Sequence, residues 1–465
     1  MSYQPFPDFT EWAVQFDPAL VEAYRQRFER ARESAEHPRL DAAAREVLRS
    51  AAVETGAIEG LYPSDRGFTR SVATMAAGWE AAADQKGPHV RTTIEDQLRA
   101  YELVLDAATG SDAPAITQAW LRELHAALTA SQETCRVQVD LLDGARRGWQ
   151  DRKLEHGAYK TWPNSPSWPG SGEVRAYAPP GDTPAEMARL VDQLRTSAFE
   201  QAHPVVRAAY AHHALTWIHP FADGNGRVAR ALASVFLYQL DKRFGVPFLM
   251  FADQRNEYYD ALEAADRGLR EPLVDFFAER VIDAILLIEQ ALGSPEGPAD
   301  PLVASIRDKL AWHTAIDRIN LAAGRLASAC EQALRGALRQ LDLPNELRLE
   351  FKPLVSGRRN LPESPDSLRA ALPPHLPVRS IEVTIKVGNA KATMLVAVSG
   401  LWSPELAGSG IGPQLSVAID NDKGVNFIVR LHELEPVLTQ SLSRRLALWA
   451  SRAARLLLDR VNEAL

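Results

Sequence analysis

Apolar positions recur at helical spacing through most of the first 290 residues, and at a period of two only near the C-terminus. Pro18–Ala35 and Leu40–Ala57 are rich in Ala, Glu, Arg and Leu with no strand-like alternation, so both read as helices. Between Thr93 and Leu128, the positions Gln97, Leu98, Tyr101, Leu105, Trp120, Leu121, Leu124 and Leu128 mark helix faces. A loop at Asp112–Ile116 separates the two helices. Helices are expected again over Thr183–Thr196, with Pro184 in the first turn, and over Val205–Ile218, Val228–Leu240 and Asn256–Ala291. Gly293–Pro301 (GSPEGPADP) reads as a linker. Beyond it, Leu302–Leu341 predicts one or two amphipathic helices. Ile381, Val383, Ile385 and Val387 then alternate, as do Leu415, Val417 and Ile419, which predicts strands with a hairpin turn at Lys423–Gly424. A basic amphipathic helix over Thr439–Ala464, carrying Arg444, Arg445, Arg452 and Arg455, closes the chain. The fold class is mainly α, with a C-terminal α+β module.

Composition changes this picture little. With 465 residues the chain accommodates two or three domains, and 46% apolar with 24% charged residues is ordinary for a globular protein. A net charge of −8 gives no sign of bulk nucleic-acid affinity. No run of 18 apolar residues offers a membrane span, and MSYQPFPDFTEW has neither a basic nor an apolar leader region. Cys135 and Cys330 match no metal or redox spacing, which fits a reducing cytoplasm.

The chemistry concentrates in His219–Arg230, HPFADGNGRVAR. Pro220 discourages the preceding helix from running past His219, and Phe221–Gly226 reads as a tight loop before a helix from Val228. Gly224 and Gly226 allow a sharp turn and close approach to a ligand, and the amides opening the next helix form an anion site. Arg227 and Arg230, three apart, suit bidentate contact with phosphate. Asp223 is a hard oxygen donor suited to Mg²⁺ bound partly through phosphates. His219 is the group here that titrates near neutrality and is the natural general base. His203, His212 and His213 lack a metal-binding spacing and are read as packing residues.

This stretch resembles the signature of the Fic family, HPFx(D/E)GNGRxxR, with every fixed position matched. The resemblance implies a Fic-type helical core with a β-hairpin flap, and transfer of AMP from ATP to a Tyr, Thr or Ser hydroxyl of a target protein. It implies that His219 deprotonates that hydroxyl and Asp223 holds Mg²⁺. Gly224, Asn225 and Gly226 would form the anion hole for the α- and β-phosphates, with Arg227 also on phosphate and Arg230 on the γ-phosphate. Phe221 would be an inward-facing anchor. The family's phosphorylating branch carries Lys where this chain has Gly226, which makes kinase-like chemistry less favoured here.

Two further segments gain meaning beside this core. TGAIEG, Thr55–Gly60, reads as a helix C-terminus and also matches the (S/T)xxxE(G/N) inhibitory motif of Fic proteins at Thr55, Glu59 and Gly60. A Glu beside Arg230 would occupy the guanidinium that the γ-phosphate needs. Within the Gly-, Pro- and Trp-dense stretch 131–184, Tyr159, Lys160 and Thr161, together with Val174–Tyr177, resemble the two strands of the target-docking flap, Lys160 standing where many relatives carry Arg. The expected organisation is a helical region with the inhibitory helix over 1–110, a catalytic core over 111–292 and a domain of unassigned role over 302–465, which could recognise a target or form a homodimer. Besides autoinhibited adenylylation, the residues leave open AMP removal, transfer of another nucleotide such as UMP, and a non-catalytic ATP-sensing module that binds a partner.

Overall fold

The computed structural model describes residues 3–33, 37–109, 116–140, 147–164, 176–240, 245–293, 301–356 without 342 and 345, 378–401 without 389, 414–419, 422–430, 433–434 and 438–464. The chain forms two compact units, Met1–Ala252 with Leu273–Ile288, and Asp253–Pro272 with Glu289–Leu465. No helix among the described residues is long and apolar enough to cross a membrane.

The first unit opens with α1 (Phe9–Trp12), α2 (Ala19–Glu33), α3 (His37–Ile58), α4 (Arg66–Ala73), α5 (Trp79–Lys86), α6 (Val90–Thr109) and α7 (Gln118–Leu128). A hairpin of β1 (Thr134–Asp140) and β2 (Arg147–Lys153) follows, antiparallel with Cys135 opposite Arg152. Then come α8 (Thr183–Gln193), α9 (Ser197–Gln201), α10 (Pro204–Ile218) and α11 (Asn225–Leu237). Helix α10 is apolar nearly all round, which is the pattern of a helix enclosed by others, and it packs against α11 at the centre of the unit. Around this pair, α11 also meets α3, α6 and α7. The N-terminal segment closes over α10. Phe6 and Phe9 lie 5.4 and 5.1 Å from Tyr210, and Trp12 Nε1 donates to His213 Nδ1 at 2.9 Å.

Helix α3 stops because Gly60 takes a left-handed φ of 74°. Leu61 N–H then bonds Gly56 O at 3.1 Å and Gly60 N–H bonds Ala57 O at 2.9 Å, the paired pattern that satisfies the last carbonyls of a helix. This termination leaves Glu59 as the capping residue, directed away from the helix axis.

The second unit contains α12 (Arg255–Asp266), the end of α13 (Glu271–Gly293) and α14 (Pro301–Gln340). Its sheet is an antiparallel meander of β3 (Arg348–Ser356), β4 (Val378–Val387), β5 (Ala390–Leu401), β6 (Gln414–Ile419) and β7 (Asp422–Arg430), ordered as in sequence, before α15 (Gln440–Ala464). Ile381, Val383 and Ile385 of β4 and Leu415, Val417 and Ile419 of β6 bury one face against Leu326, Leu334, Trp449 and Leu457 of α14 and α15. Arg445 ties this core to α12, with Nε 2.7 Å from Glu257 Oε1 and Nη1 2.5 Å from Glu433 Oε1. Arg452 adds an ion pair to Asp260.

Several boundaries differ from the sequence expectations. The helix after the signature loop starts at Asn225 rather than Val228, because Gly224 (φ 79°) is its cap. The helix expected over 256–291 breaks between α12 and α13, where Gly268 has φ 92°. Lys423–Gly424 belongs to β7 rather than to a turn, and 420–421, between β6 and β7, lie outside the described residues. Tyr159–Thr161 forms no strand, Lys160 N–H bonding Pro220 O of the signature loop, and 165–175, which include Val174, lie outside the described residues. The described hairpin is the earlier β1–β2 pair. Of the Gly293–Pro301 linker, 294–300 likewise lie outside the described residues, and the stretch beyond it is a single helix, α14 (Pro301–Gln340).

Candidate active site

His219 stands where α10 ends, in a left-handed conformation with φ 54°. Its N–H still reaches Leu215 O at 2.9 Å, so the residue caps the helix. The ring lies flat on Tyr177, with centroids 3.9 Å apart and planes 3° apart. Nδ1 is 3.3 Å from Thr216 O. A carbonyl only accepts, so Nδ1 is the donor in this contact, as a general base working through Nε2 requires.

The loop from Phe221 to Gly224 is held by its own residues and by α7. Asn225 Oδ1 accepts from Phe221 N–H at 2.9 Å, and its Nδ2 donates to Phe221 O at 2.8 Å. The Asn225 side chain is thus committed to the loop, and what it presents to a ligand is its backbone N–H. Phe221 is fully buried and stacks on His125 at 3.9 Å. His125 Nδ1 accepts from Gly157 N–H at 2.8 Å, so Nε2 carries the proton and donates to Asp223 O at 3.0 Å. Burial pushes this imidazole down to about 4, keeping it neutral as that bonding pattern requires.

The first intrahelical bond of α11 runs from Val228 N–H to Gly224 O at 3.0 Å. The amides of Asn225, Gly226 and Arg227 precede it and have no helical acceptor, so this turn presents three donors and the positive end of the helix dipole. Asp223 lies beside them, partly exposed, with Oδ1 accepting from Gly224 N–H and Oδ2 from Gln132 Nε2, both at 2.6 Å. Among the described residues no group of three His, Cys, Asp or Glu side chains is arranged as a self-contained metal site. Asp223 places one hard oxygen donor beside the first-turn amides, and an ion held through one carboxylate and completed by phosphate oxygens and water is the habit of Mg²⁺.

The two arginines differ. Arg227 is buried, donating from Nη1 to Leu128 O at 3.0 Å and from Nη2 to Gln132 Oε1 at 2.6 Å. Gln132 consequently bridges Arg227 and Asp223. Arg230 is equally buried and points to α3, with Nε to Thr55 Oγ1 at 2.9 Å, Nη2 to Thr55 O at 3.1 Å and Nη2 to Glu59 Oε1 at 2.6 Å. Thr55 and Glu59 thus meet the signature arginine, while Gly60 contributes through the chain reversal that positions Glu59. A β-carbon built on Gly226 would run into the Glu59 carboxylate, so that carboxylate lies directly over the first turn of α11.

The segment read as a docking flap faces inward in part. Tyr159 bonds Gln118 Oε1 through its hydroxyl at 3.0 Å. Lys160 is 4% exposed, its N–H bonded to Pro220 O at 2.9 Å and its Nζ to Asn164 Oδ1 at 2.8 Å. Thr161 alone of the three is exposed. The Lys160 side chain is buried, and Tyr159 is half-buried. His212 and His213 are buried in the packing of α10, and His203 caps its start.

Sequence reasoning missed His125, Gln132, Asn164 and Tyr177. His125 carried a signal, a polar residue on the apolar face defined by Leu121, Leu124 and Leu128. The other three lie in irregular segments where spacing conveys nothing.

Residues 115–237 match the Fic/DOC family. Two similar curated proteins are both named Protein adenylyltransferase Fic. That of Culex quinquefasciatus is 39% identical over 120 residues, 25% of this chain and 23% of its own. That of Nematostella vectensis is 40% identical over 120 residues, 24% of this chain and 27% of its own. The chain thus spans about a quarter of the length of these relatives. A solved Fic domain containing signaling protein from Bacteroides thetaiotaomicron is 21% identical, with a TM-score of 0.46, covering 60% of this chain and 99% of that one. The match to the Fic/DOC family spans residues 115–237 and contains the signature loop intact.

Proposed function

We propose that the protein is an adenylyltransferase that moves AMP from ATP to a Tyr, Thr or Ser hydroxyl of a target protein, restrained by its own Glu59. The reading is supported above all by one juxtaposition. An imidazole with its lone pair on Nε2, a partly exposed carboxylate and three helix-opening amides share one loop, and Arg230 at its end is held by Glu59.

In this reading the first-turn amides of α11 cradle the phosphates, and Asp223 holds Mg²⁺. When bound, the ion would neutralise phosphate charge and polarise the α-phosphoryl group. His219 Nε2 takes the proton from the target hydroxyl as its oxygen attacks the α-phosphorus. The bond from that phosphorus to the bridging oxygen breaks, and pyrophosphate leaves with the electron pair. Arg227, anchored on Leu128 and Gln132, contributes positive potential beneath the cradle rather than a direct contact in this conformation. Arg230 is the residue for the γ-phosphate, and the Glu59 carboxylate competes for it. The α+β unit is left to a partner-binding role, with a second copy of the chain as one possible partner.

The test is labelling with ATP radiolabelled at the α-phosphate. Glu59→Gly should raise incorporation into a lysate, and His219→Ala in that background should abolish it while nucleotide still binds. Equal labelling by the two proteins would refute the assignment. Mass spectrometry of pre-modified targets separates gain of AMP from its removal, and reveals any other transferred nucleotide.

A further inference from the structure

The turn that carries His219 is gripped from beneath by residues that no sequence pattern linked to catalysis. Lys160 N–H bonds Pro220 O at 2.9 Å, and Ala178 N–H bonds Ile218 O at 3.3 Å. Lys160 Nζ reaches Asn164 Oδ1 at 2.8 Å and Ile218 O at 3.4 Å. Asn164 in turn donates to Phe221 O at 2.7 Å. The carbonyls of Ile218, Pro220 and Phe221 thus all end on this one segment, and those three residues surround His219 and open the loop. Lys160 Nζ also lies 5.7 Å from the centroid of the Tyr177 ring on which His219 stacks.

We propose that Lys160 is a positioning residue for His219: its buried ammonium, acting through Asn164, the Ile218 carbonyl and the Tyr177 ring, holds the left-handed turn and the imidazole plane in the orientation used for proton transfer. The proposal deepens the adenylyltransferase reading and rests on it for its kinetic consequences. It also assigns Lys160 a role other than target docking, consistent with its burial.

A cation here is an active choice, since a buried ammonium is costly unless something draws on its charge. Burial pushes Lys160 down to about 7, with no carboxylate among the causes. The titratable groups facing it are the Tyr177 phenol and the His219 imidazole stacked on that ring. Below about 7 the ammonium donates to Asn164 Oδ1 and the Ile218 carbonyl. Above it the amine loses one donor and its charge, and its hold on the carbonyl and the ring weakens. Arginine, which stays charged, would remove that transition.

The experiment compares Lys160→Met and Lys160→Arg with the parent chain, all carrying Glu59→Gly. In selectively ¹⁵N-histidine-labelled protein, with His219 assigned by its loss in His219→Gln, the parent should show His219 responding to a second titration near pH 7. Lys160→Met should remove that response and raise the His219 midpoint, because a neighbouring positive charge has gone. Lys160→Arg should also remove the response but leave the midpoint close to that of the parent. Kinetically, Lys160→Met should lower kcat by up to about 10²-fold, as expected for a misoriented group, with the KM for ATP nearly unchanged. Lys160→Arg should restore most of kcat and extend activity to higher pH. An identical His219 titration in the parent and Lys160→Met, or an unchanged kcat in Lys160→Met, overturns the proposal. Should Lys160→Met fail to fold, the parent and Lys160→Arg titrations decide, and a shared response near pH 7 overturns it. Absence of AMP transfer from every variant counts against the adenylyltransferase reading alone, and the spectra still decide the role of Lys160.

Discussion

Glu59 lies over Gly226 so closely that the glycine has room only for its hydrogen, while the same carboxylate holds Arg230 at 2.6 Å. The inhibitory contact and the phosphate cradle therefore share one surface of α11. Gly226→Ala is expected to displace Glu59 and to weaken nucleotide binding, because the new methyl group stands where a phosphate would approach the amide. Its effect on thermal stability should be smaller in a Glu59→Gly background, where the collision is gone. A double-mutant cycle on melting temperature measures that coupling, and additive effects would show that the two residues do not meet.

Gln132 is the hinge pin between Arg227 and Asp223. Gln132→Ala leaves the buried Arg227 Nη2 without its acceptor, so a loss of about 1–3 kcal/mol in chemical denaturation is expected. The Asp223 carboxylate loses its Gln132 bond as well, and Mn²⁺ used as a paramagnetic probe in the presence of ATP should bind with altered affinity. Wild-type affinity and stability together would show that the bridge is idle.

How much of this was legible beforehand depended on the kind of segment. The signature loop announced itself because His219, Asp223, Gly224 and Arg230 lie within twelve residues. Glu59 was legible only once that core was recognised, since a Thr and a Glu-Gly at this spacing otherwise mean no more than a helix end. The start of α11 was misplaced by three residues, because Gly224 in a left-handed conformation lets Asn225 enter the helix directly. Tyr159–Lys160 was mistaken for a strand, because nothing local reveals that Lys160 N–H bonds Pro220, 60 positions away in the chain. Strand alternation in β4 and β6 was readable because their apolar side chains share one face, while Ser380, Thr384, Gln414 and Ser416 fall between them and are buried as well.

Asp260 gives the second unit a pH dependence of defined sign. Burial raises its carboxyl to about 6 from an ordinary 3.8, against the opposing pull of Arg452. The folded state therefore binds more protons than the unfolded one between those values. The associated stability is fully present below pH 3.8 and is lost as pH rises through 6. Asp260→Asn should remove this slope and change stability at pH 8 by at most about 3 kcal/mol relative to wild type. Denaturant melts at pH 4.5 and 8 check it, and an unaltered slope would contradict it.

Glu257 reaches Arg445 from α12, a helix that precedes the expected linker by some 30 residues in sequence. Glu257→Ala should destabilise the second unit by about 1–3 kcal/mol, Arg445 retaining Glu433 as its other carboxylate. A fragment beginning at 302 lacks α12 altogether and should give a less cooperative melt than the full chain. A sharp, unshifted transition from that fragment would show that α12 is dispensable.

The left-handed backbone at His219 has one more consequence. A residue with a β-carbon is penalised there by roughly 1–2 kcal/mol, and glycine is not. Replacing His219 by glycine should therefore relax the chain while deleting the ring, so that the inactive protein melts at a temperature equal to or above that of the active one. Such an inversion would mark this as a position where folding was sacrificed for reactivity, and it would set His219 apart from the buried residues around it, whose loss lowers both.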